Sequence, residues 1–217
     1  MLQLLRHLVA QHEEQIFKSA ISNCHAPDLH SIVFIDTPEK FVRMFFADRD
    51  HNLHYNKIEE FCQQKPVHPL SIGYHPHHCN ITLCCLKGTL INIIAKEDKE
   101  YGVPIIKYEY QSQITKDELS FKKIEDTHLN HFDVVNLKPN DCISLKANLM
   151  HTVAADQFEQ CAWLVFEGKE DKDYKSYCYS NANLLSKDIS KDLYQPMEYS
   201  KFLEILNTLD IITTSAT

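Results

Sequence analysis

Glycine is scarce in this chain, four residues in 217, and the scarcity removes whole classes of mechanism. A phosphate-cradling loop or a dinucleotide fingerprint needs several glycines at fixed offsets, where the backbone must approach a pyrophosphate. None of the four stands in such a pattern. No Gly-x-Ser-x-Gly elbow presents a serine, and no spacing of Cys and His singles out a nucleophile. Cys-x-x-Cys is missing too, which argues against a structural zinc site. Basic clusters are absent: 22 Lys and Arg stand against 30 Asp and Glu, a net charge of -8, so nucleic acid is not expected as a partner. No stretch approaches the ~20 apolar residues of a membrane-spanning helix. Arg6 and His7 break up the apolar residues at the start, so no membrane partner is expected and a cytoplasmic protein is. No internal repeat or low-complexity tract is visible.

What the chain does have is a sizeable apolar fraction, 44%, enough for one domain with its own core. Eight cysteines lie at 24, 62, 79, 84, 85, 142, 161 and 178. With no export signal read, thiols are expected, and those inside apolar runs such as Cys84, Cys85 and Cys161 act as small core hydrophobes.

The hydrophobic pattern opens with period 3.6 and then shortens. Residues 2–22 read as an amphipathic helix, with Leu5, Leu8, Val9, Ile16, Ala20 and Ile21 on its apolar stripe. Short β-branched and aromatic runs follow at 31–35, 40–47, 69–74, 81–86, 89–95, 104–111, 119–124, 132–137, 142–145, 151–154 and 162–166. So many short strands at close spacing predict a closed sandwich or barrel. Lys87-Gly88 predicts a tight hairpin, and Asn140-Asp141 another turn. Beyond Gly168 lies a charged loop at 169–173, a polar stretch at 181–190, a final helix over 198–209 and a frayed end at 213–217.

Histidine carries the chemistry. His75 and His77, separated by Pro76, point to one face of an extended strand and can aim at one atom. His151 opens another strand some seventy residues later, after the turn at 146–150. Three neutral imidazoles suit Fe, Zn, Cu or Ni, and a facial set leaves coordination positions open. Such a site leaves the cation's charge uncompensated, which favours an anionic substrate. The bland alternative stays open, since thirteen His in the chain place some close together by composition. His78 has the opposite strand parity. His128 and His131 read as turn residues, in reserve as ligands, and Cys79 leaves a mixed His/Cys site open.

The segment from Gly73 through His75, His77 and Gly88, with Asp141 and His151 later, resembles the cupin superfamily over roughly residues 40 to 167. Thr82 stands about where that family has its Glu ligand, and Lys146 and Asn148 replace the Pro and Gly of its second motif. The missing Glu narrows the resemblance to three-histidine cupins such as cysteine dioxygenase. The resemblance implies a mainly β fold, a double-stranded β-helix or jelly-roll barrel with flanking N- and C-terminal helices. It implies one domain over 1–217: a helical cap at 1–30, a barrel at 31–167 and an extension at 168–217. It also implies a metal-dependent dioxygenase acting on a small thiol or carboxylate, with Fe(II) on His75, His77 and His151, or else Zn, Mn or Ni. Arg43, in an apolar run, would hold the substrate's carboxylate, although an Arg there also fits a solvent-facing position. Tyr174, Tyr177 and Tyr179 would offer a phenol near dioxygen, with Tyr177 foremost, although Tyr177-x-Tyr179 also fits an edge strand. Pairing of two copies through edge strands is a further implication. Two other classes remain: a non-catalytic cupin that binds a ligand or metal as a sensor or store, and a non-oxidative metal-dependent isomerase or lyase.

Overall fold

A helix with its apolar residues on one stripe must bury that stripe, and α1 (Leu2–Lys18) does so with Leu5, Val9 and Ile16. The computed structural model describes residues 1–25, 28–48, 73–111, 120–155, 159–168, 176–180 and 194–212. The helix ends four residues earlier than its pattern predicts, because Ile21–Ser22 is drawn off as β1, paired with β12 (Gln195–Pro196) and β2 (Leu29–Asp36). The remaining strands are β3 (Phe41–Ala47), β4 (Ile81–Lys87), β5 (Leu90–Asp98), β6 (Val103–Gln111), β7 (Ser120–Leu137), β8 (Cys142–Leu145), β9 (His151–Ala155), β10 (Cys161–Glu167) and β11 (Ser176–Ser180). A second helix, α2 (Tyr199–Thr208), follows β12.

The strands form two antiparallel sheets, ordered β12-β1-β2-β3-β10-β4-β8 and β11-β6-β7-β5-β9. Tyr74 and His75 bridge Tyr179 of β11 and His151 of β9. That short segment is therefore bonded to both edges of the second sheet, whose pairing returns on itself. Eight strands can now be counted in chain order: β3, the segment at 74–75, β4, β5, β7, β8, β9 and β10. The first sheet then runs first-eighth-third-sixth and the second runs second-seventh-fourth-fifth. This is the strand order of a jelly roll, the cupin-like fold expected from the sequence.

Strand parity sorts the core. Leu29, Ala47, Leu83, Trp163 and Val165 face Leu90, Leu137 and Ala155 across the gap between the sheets. Their neighbours Met44, Phe46, Cys84 and Leu164 point the other way, against α1 and α2. The helices thus cover the back of the first sheet and leave the interior to the strands.

Several expectations are corrected. The runs at 119–124 and 132–137 are parts of one 18-residue strand, β7. His128 and His131 lie inside it, not in a turn; His131 takes a left-handed φ of 50° where the register against β5 shifts, as a bulge requires. Cys84 and Cys142, directly opposed on β4 and β8, form a disulfide, while Cys24, Cys79, Cys85, Cys161 and Cys178 are free thiols. Most of the run at 69–74, the loop at 169–173, Tyr174, the stretch at 181–190 and the end at 213–217 lie outside the described residues, as does Cys62.

Candidate metal centre

His75 reaches the interior because its strand is held on both sides. Its N–H donates to the His151 carbonyl at 2.9 Å, and the His151 N–H donates back at 3.1 Å. Residues that exchange both bonds stand directly opposite and project to the same face. His151 shares that face with Val153 and Ala155, which pack between the sheets, so both rings point inward. His77 follows by strand parity, and the Asn148 N–H donates to its carbonyl at 2.8 Å. The turn after β8 is thereby tied to the strand it must face.

The three rings form a near-regular triangle, with centroids 4.9, 5.1 and 5.1 Å apart. One nitrogen of each lies within 4.8 Å of the other two. His77 Nε2 and His151 Nε2 are 3.0 Å apart, the spacing of two ligands about 2.1 Å from one metal at a right angle. The His75 nitrogen must close up by more.

Hydrogen bonds on the far side of two rings set which nitrogen faces the centre. His75 Nδ1 donates to the Gly73 carbonyl at 3.1 Å, and His151 Nδ1 donates to Asn92 Oδ1 at 2.7 Å. Each leaves an Nε2 lone pair, the tautomer a metal needs. With His151 Nε2 an acceptor, the proton in the 3.0 Å contact belongs to His77 Nε2, and a bound cation takes that proton's place. Burial holds all three rings neutral. It pushes His77 down to about 2, helped by His75, His78 and His25. It takes His151 well below the usual range, with His75 and His77 adding to it. His75 is lowered by burial against the opposing bond to Gly73.

Arg43 lies on the inward-facing side of β3. Its guanidinium carbon sits 4.8 Å from the Phe41 ring centre and 5.7 Å from that of Phe45, and its buried Nε has no hydrogen-bond partner among the described residues. Tyr177 is not gathered with the histidines. Its ring packs beside Tyr74, Ile93 and Tyr179, on the opposite side of the sheet, with Lys107 Nζ 5.1 Å over it; Tyr179 donates to Glu97 at 2.7 Å. Thr82 points away from the interior too, toward Ser144 at 3.0 Å, and its inward neighbours Ile81 and Leu83 are apolar.

Sequence reasoning missed Asn92, His25 and Tyr194. Asn92 had a signal: one amide inside the apolar run Leu90-Ile91-Asn92-Ile93-Ile94, fully buried. His25 and Tyr194 had none, because they come together over 169 positions.

No helix among the described residues is long and apolar enough to cross a membrane. No family model matches the chain, and no curated protein matches it. Solved structures resemble it weakly. The hydroxypropylphosphonic acid epoxidase of S. wedmorenis is 12% identical over 68% of this chain and 53% of its own, with a TM-score of 0.39; this chain spans about half of that protein's length. A cupin superfamily protein from Desulfitobacterium hafniense is 10% identical over 65% and 78%, with a TM-score of 0.32. A cupin-like protein from Thermotoga maritima is 8% identical over 76% and 86%, with a TM-score of 0.37. The strand order, not these likenesses, carries the fold.

Proposed function

We propose that this chain is a metal-dependent oxygenase in which His75, His77 and His151 hold Fe(II) and a small anionic thiol or carboxylate reacts with dioxygen. The observation that carries the reading is the convergence of three neutral, inward-facing imidazoles, with ligand atoms within 4.8 Å of one another. Iron bound there supplies the redox chemistry and the open positions at which two reactants meet.

The chain's own groups supply position and environment. Gly73 and Asn92 fix the His75 and His151 rings so that their lone pairs face one point. Leu83, Trp163 and Val165 give the interior between the sheets an apolar lining, in which electrostatic interactions are stronger than in water. Arg43 supplies a permanent positive charge on the facing sheet, suited to a carboxylate. No side chain needs to act as a nucleophile, because orientation and the metal carry the barrier lowering.

Metal analysis of protein purified without added metal or chelator, beside His75→Ala and His151→Ala, tests the site. Near-stoichiometric iron in the parent and its loss from both variants is expected, followed by oxygen uptake with a small thiol. Metal content unchanged by His151→Ala defeats the assignment. Metal without oxygen uptake leaves a binding module, or an isomerase or lyase using Zn, Mn or Ni.

A further inference from the structure

A ladder of contacts runs from the Cys84–Cys142 disulfide to the histidine triangle. On β4 and β8, Cys84 opposes Cys142, Thr82 opposes Ser144 and Ile81 opposes Leu145, with the Thr82 and Ser144 hydroxyls 3.0 Å apart. Beyond the strands the Ala147 N–H donates to Asn80 Oδ1 at 2.9 Å, and the Asn148 N–H donates to the His77 carbonyl at 2.8 Å. His77 carries one ring of the triangle, and the same turn delivers His151 to its place opposite His75.

The disulfide at the far end of this ladder is placed to open. β8 is the last strand of its sheet, paired with β4 alone among the described residues, and it is four residues long. Cys142 is exposed on it, whereas Cys84 is buried on the helix-covered side. A nucleophile arriving from solvent therefore meets the Cys142 end of the bond first, and access decides which sulfur is attacked. The free thiols at Cys24, Cys79, Cys85, Cys161 and Cys178 are all buried.

We infer that Cys84–Cys142 is a thiol–disulfide exchange site whose state sets the metal affinity of the three histidines. The thiolate of a small thiol attacks Cys142 Sγ, the S–S bond breaks, and its electron pair leaves on Cys84 Sγ, which takes up a proton. A second thiol attacks the first one's sulfur in the mixed disulfide and releases Cys142, which is protonated in turn. Two small thiols are thereby oxidised to one disulfide, and the protein gains two electrons and two protons. With the bond closed, β8 keeps its register on β4, and the turn holds His77 and His151 at ligand spacing. With it open, a short edge strand held by one neighbour frays, and the ladder slackens toward the centre. The inference rests on the histidine site of the proposed function and applies to any cation bound there. Linkage makes the effect reciprocal, so bound metal makes the disulfide harder to reduce by the same factor.

Two measurements test it. Native protein is incubated with reduced glutathione in the absence of denaturant, then alkylated and peptide-mapped. A glutathione adduct on Cys142, and alkylation of both Cys84 and Cys142 at higher thiol, are expected; a bond that opens only in denaturant overturns the inference. Co(II) affinity is then compared, by chelator competition, between oxidised protein and protein reduced and desalted without oxygen. The reduced form is expected to bind cobalt at least about 5-fold more weakly, the lower end of coupling between linked sites. A variant carrying both Cys84→Ser and Cys142→Ser should match the reduced form, with no thiol there to ligate the metal. Equal affinity of the oxidised and reduced parent overturns the inference whether or not that variant folds, and leaves the histidine site standing. Cobalt uptake by neither form removes the histidine reading and the inference with it.

Discussion

Replacing Gly73 with alanine tests the link between the jelly-roll closure and the histidine site. A Cβ at residue 73 would stand 2.1 Å from the Tyr179 carbonyl oxygen and 3.2 Å from its carbon, whereas nonbonded carbon contacts settle near 3.5 Å. The segment must therefore retreat from β11 by more than about 1 Å. Two bonds go with it: the Tyr179 N–H to the Tyr74 carbonyl at 2.7 Å and His75 Nδ1 to the Gly73 carbonyl at 3.1 Å. At about 1 kcal/mol net for each bond and about 1–3 kcal/mol for overpacking, Gly73→Ala destabilises the fold by about 3 to 5 kcal/mol. In a chain of this size that lowers the melting temperature by on the order of 10 °C. The His75 ring also loses the acceptor that fixes its tautomer, which weakens metal binding by about 10- to 100-fold. Gly168→Ala is the control, because its Cβ would meet its nearest atom at 3.6 Å, an ordinary contact. Differential scanning calorimetry and a chelator competition measure both effects. If Gly73→Ala melts with the control and holds metal as tightly as the parent, the argument from close approach fails.

Asn92→Leu separates affinity from stability: it removes the His151 acceptor and also an Nδ2 that is buried without a partner among the described residues, so metal affinity should fall about 10- to 100-fold with the melting temperature little changed. A matching fall in both would make Asn92 structural. The Cys84–Cys142 disulfide spans 58 positions, and loop-closure entropy puts its removal by Cys142→Ser at about 4 kcal/mol. Urea denaturation with and without reductant checks this, and identical midpoints would mean that the two sulfurs are not bonded. His25 is lowered from 6.5 to about 3, first by burial and then by Arg43 and His75, so the unfolded chain takes up its proton before the folded one does. Its share of stability is whole above pH 6.5 and drains as pH falls from there toward 3, about 1.4 kcal/mol by pH 5.5. In metal-free protein, His25→Gln should flatten the urea midpoint between pH 8 and 5.5 by that amount, and an unchanged slope would refute the burial of His25.

The histidine pattern was legible because it is local where it matters. Two-residue spacing puts His75 and His77 on one face whatever the fold, and the turn before His151 marks the start of a new strand. The length of β7 was illegible because its extended course through residues 125–131 is set by pairing with β5 and β6, not by its own residues Glu125 to His131, which read as a polar turn. The disulfide was hidden for the same reason: Cys84 and Cys142 oppose each other only once β4 and β8 are in register. Tyr177 was weighed as an edge-strand residue and as a phenol near dioxygen. It sits on β11 with its ring on the side of the sheet away from the histidines, and a period of two fixes which residues share a face but cannot say which face meets the interior.

The same parity argument explains why the described residues offer the centre no acidic ligand. On β4 the inward positions belong to Ile81, Leu83 and Cys85, while Thr82 turns outward to Ser144. A carboxylate in place of Thr82 would face away from the triangle, and one at an inward position would displace core. The ligand set His75, His77 and His151 is therefore neutral among the described residues, and Arg43 carries its positive charge on the inward side of β3. In such an interior charge is poorly screened, so a cation held by these rings would be costly without a counter-charge. On the proposed reading, that counter-charge would come with a small anionic substrate, and the neutral ligand set and Arg43 would serve one requirement.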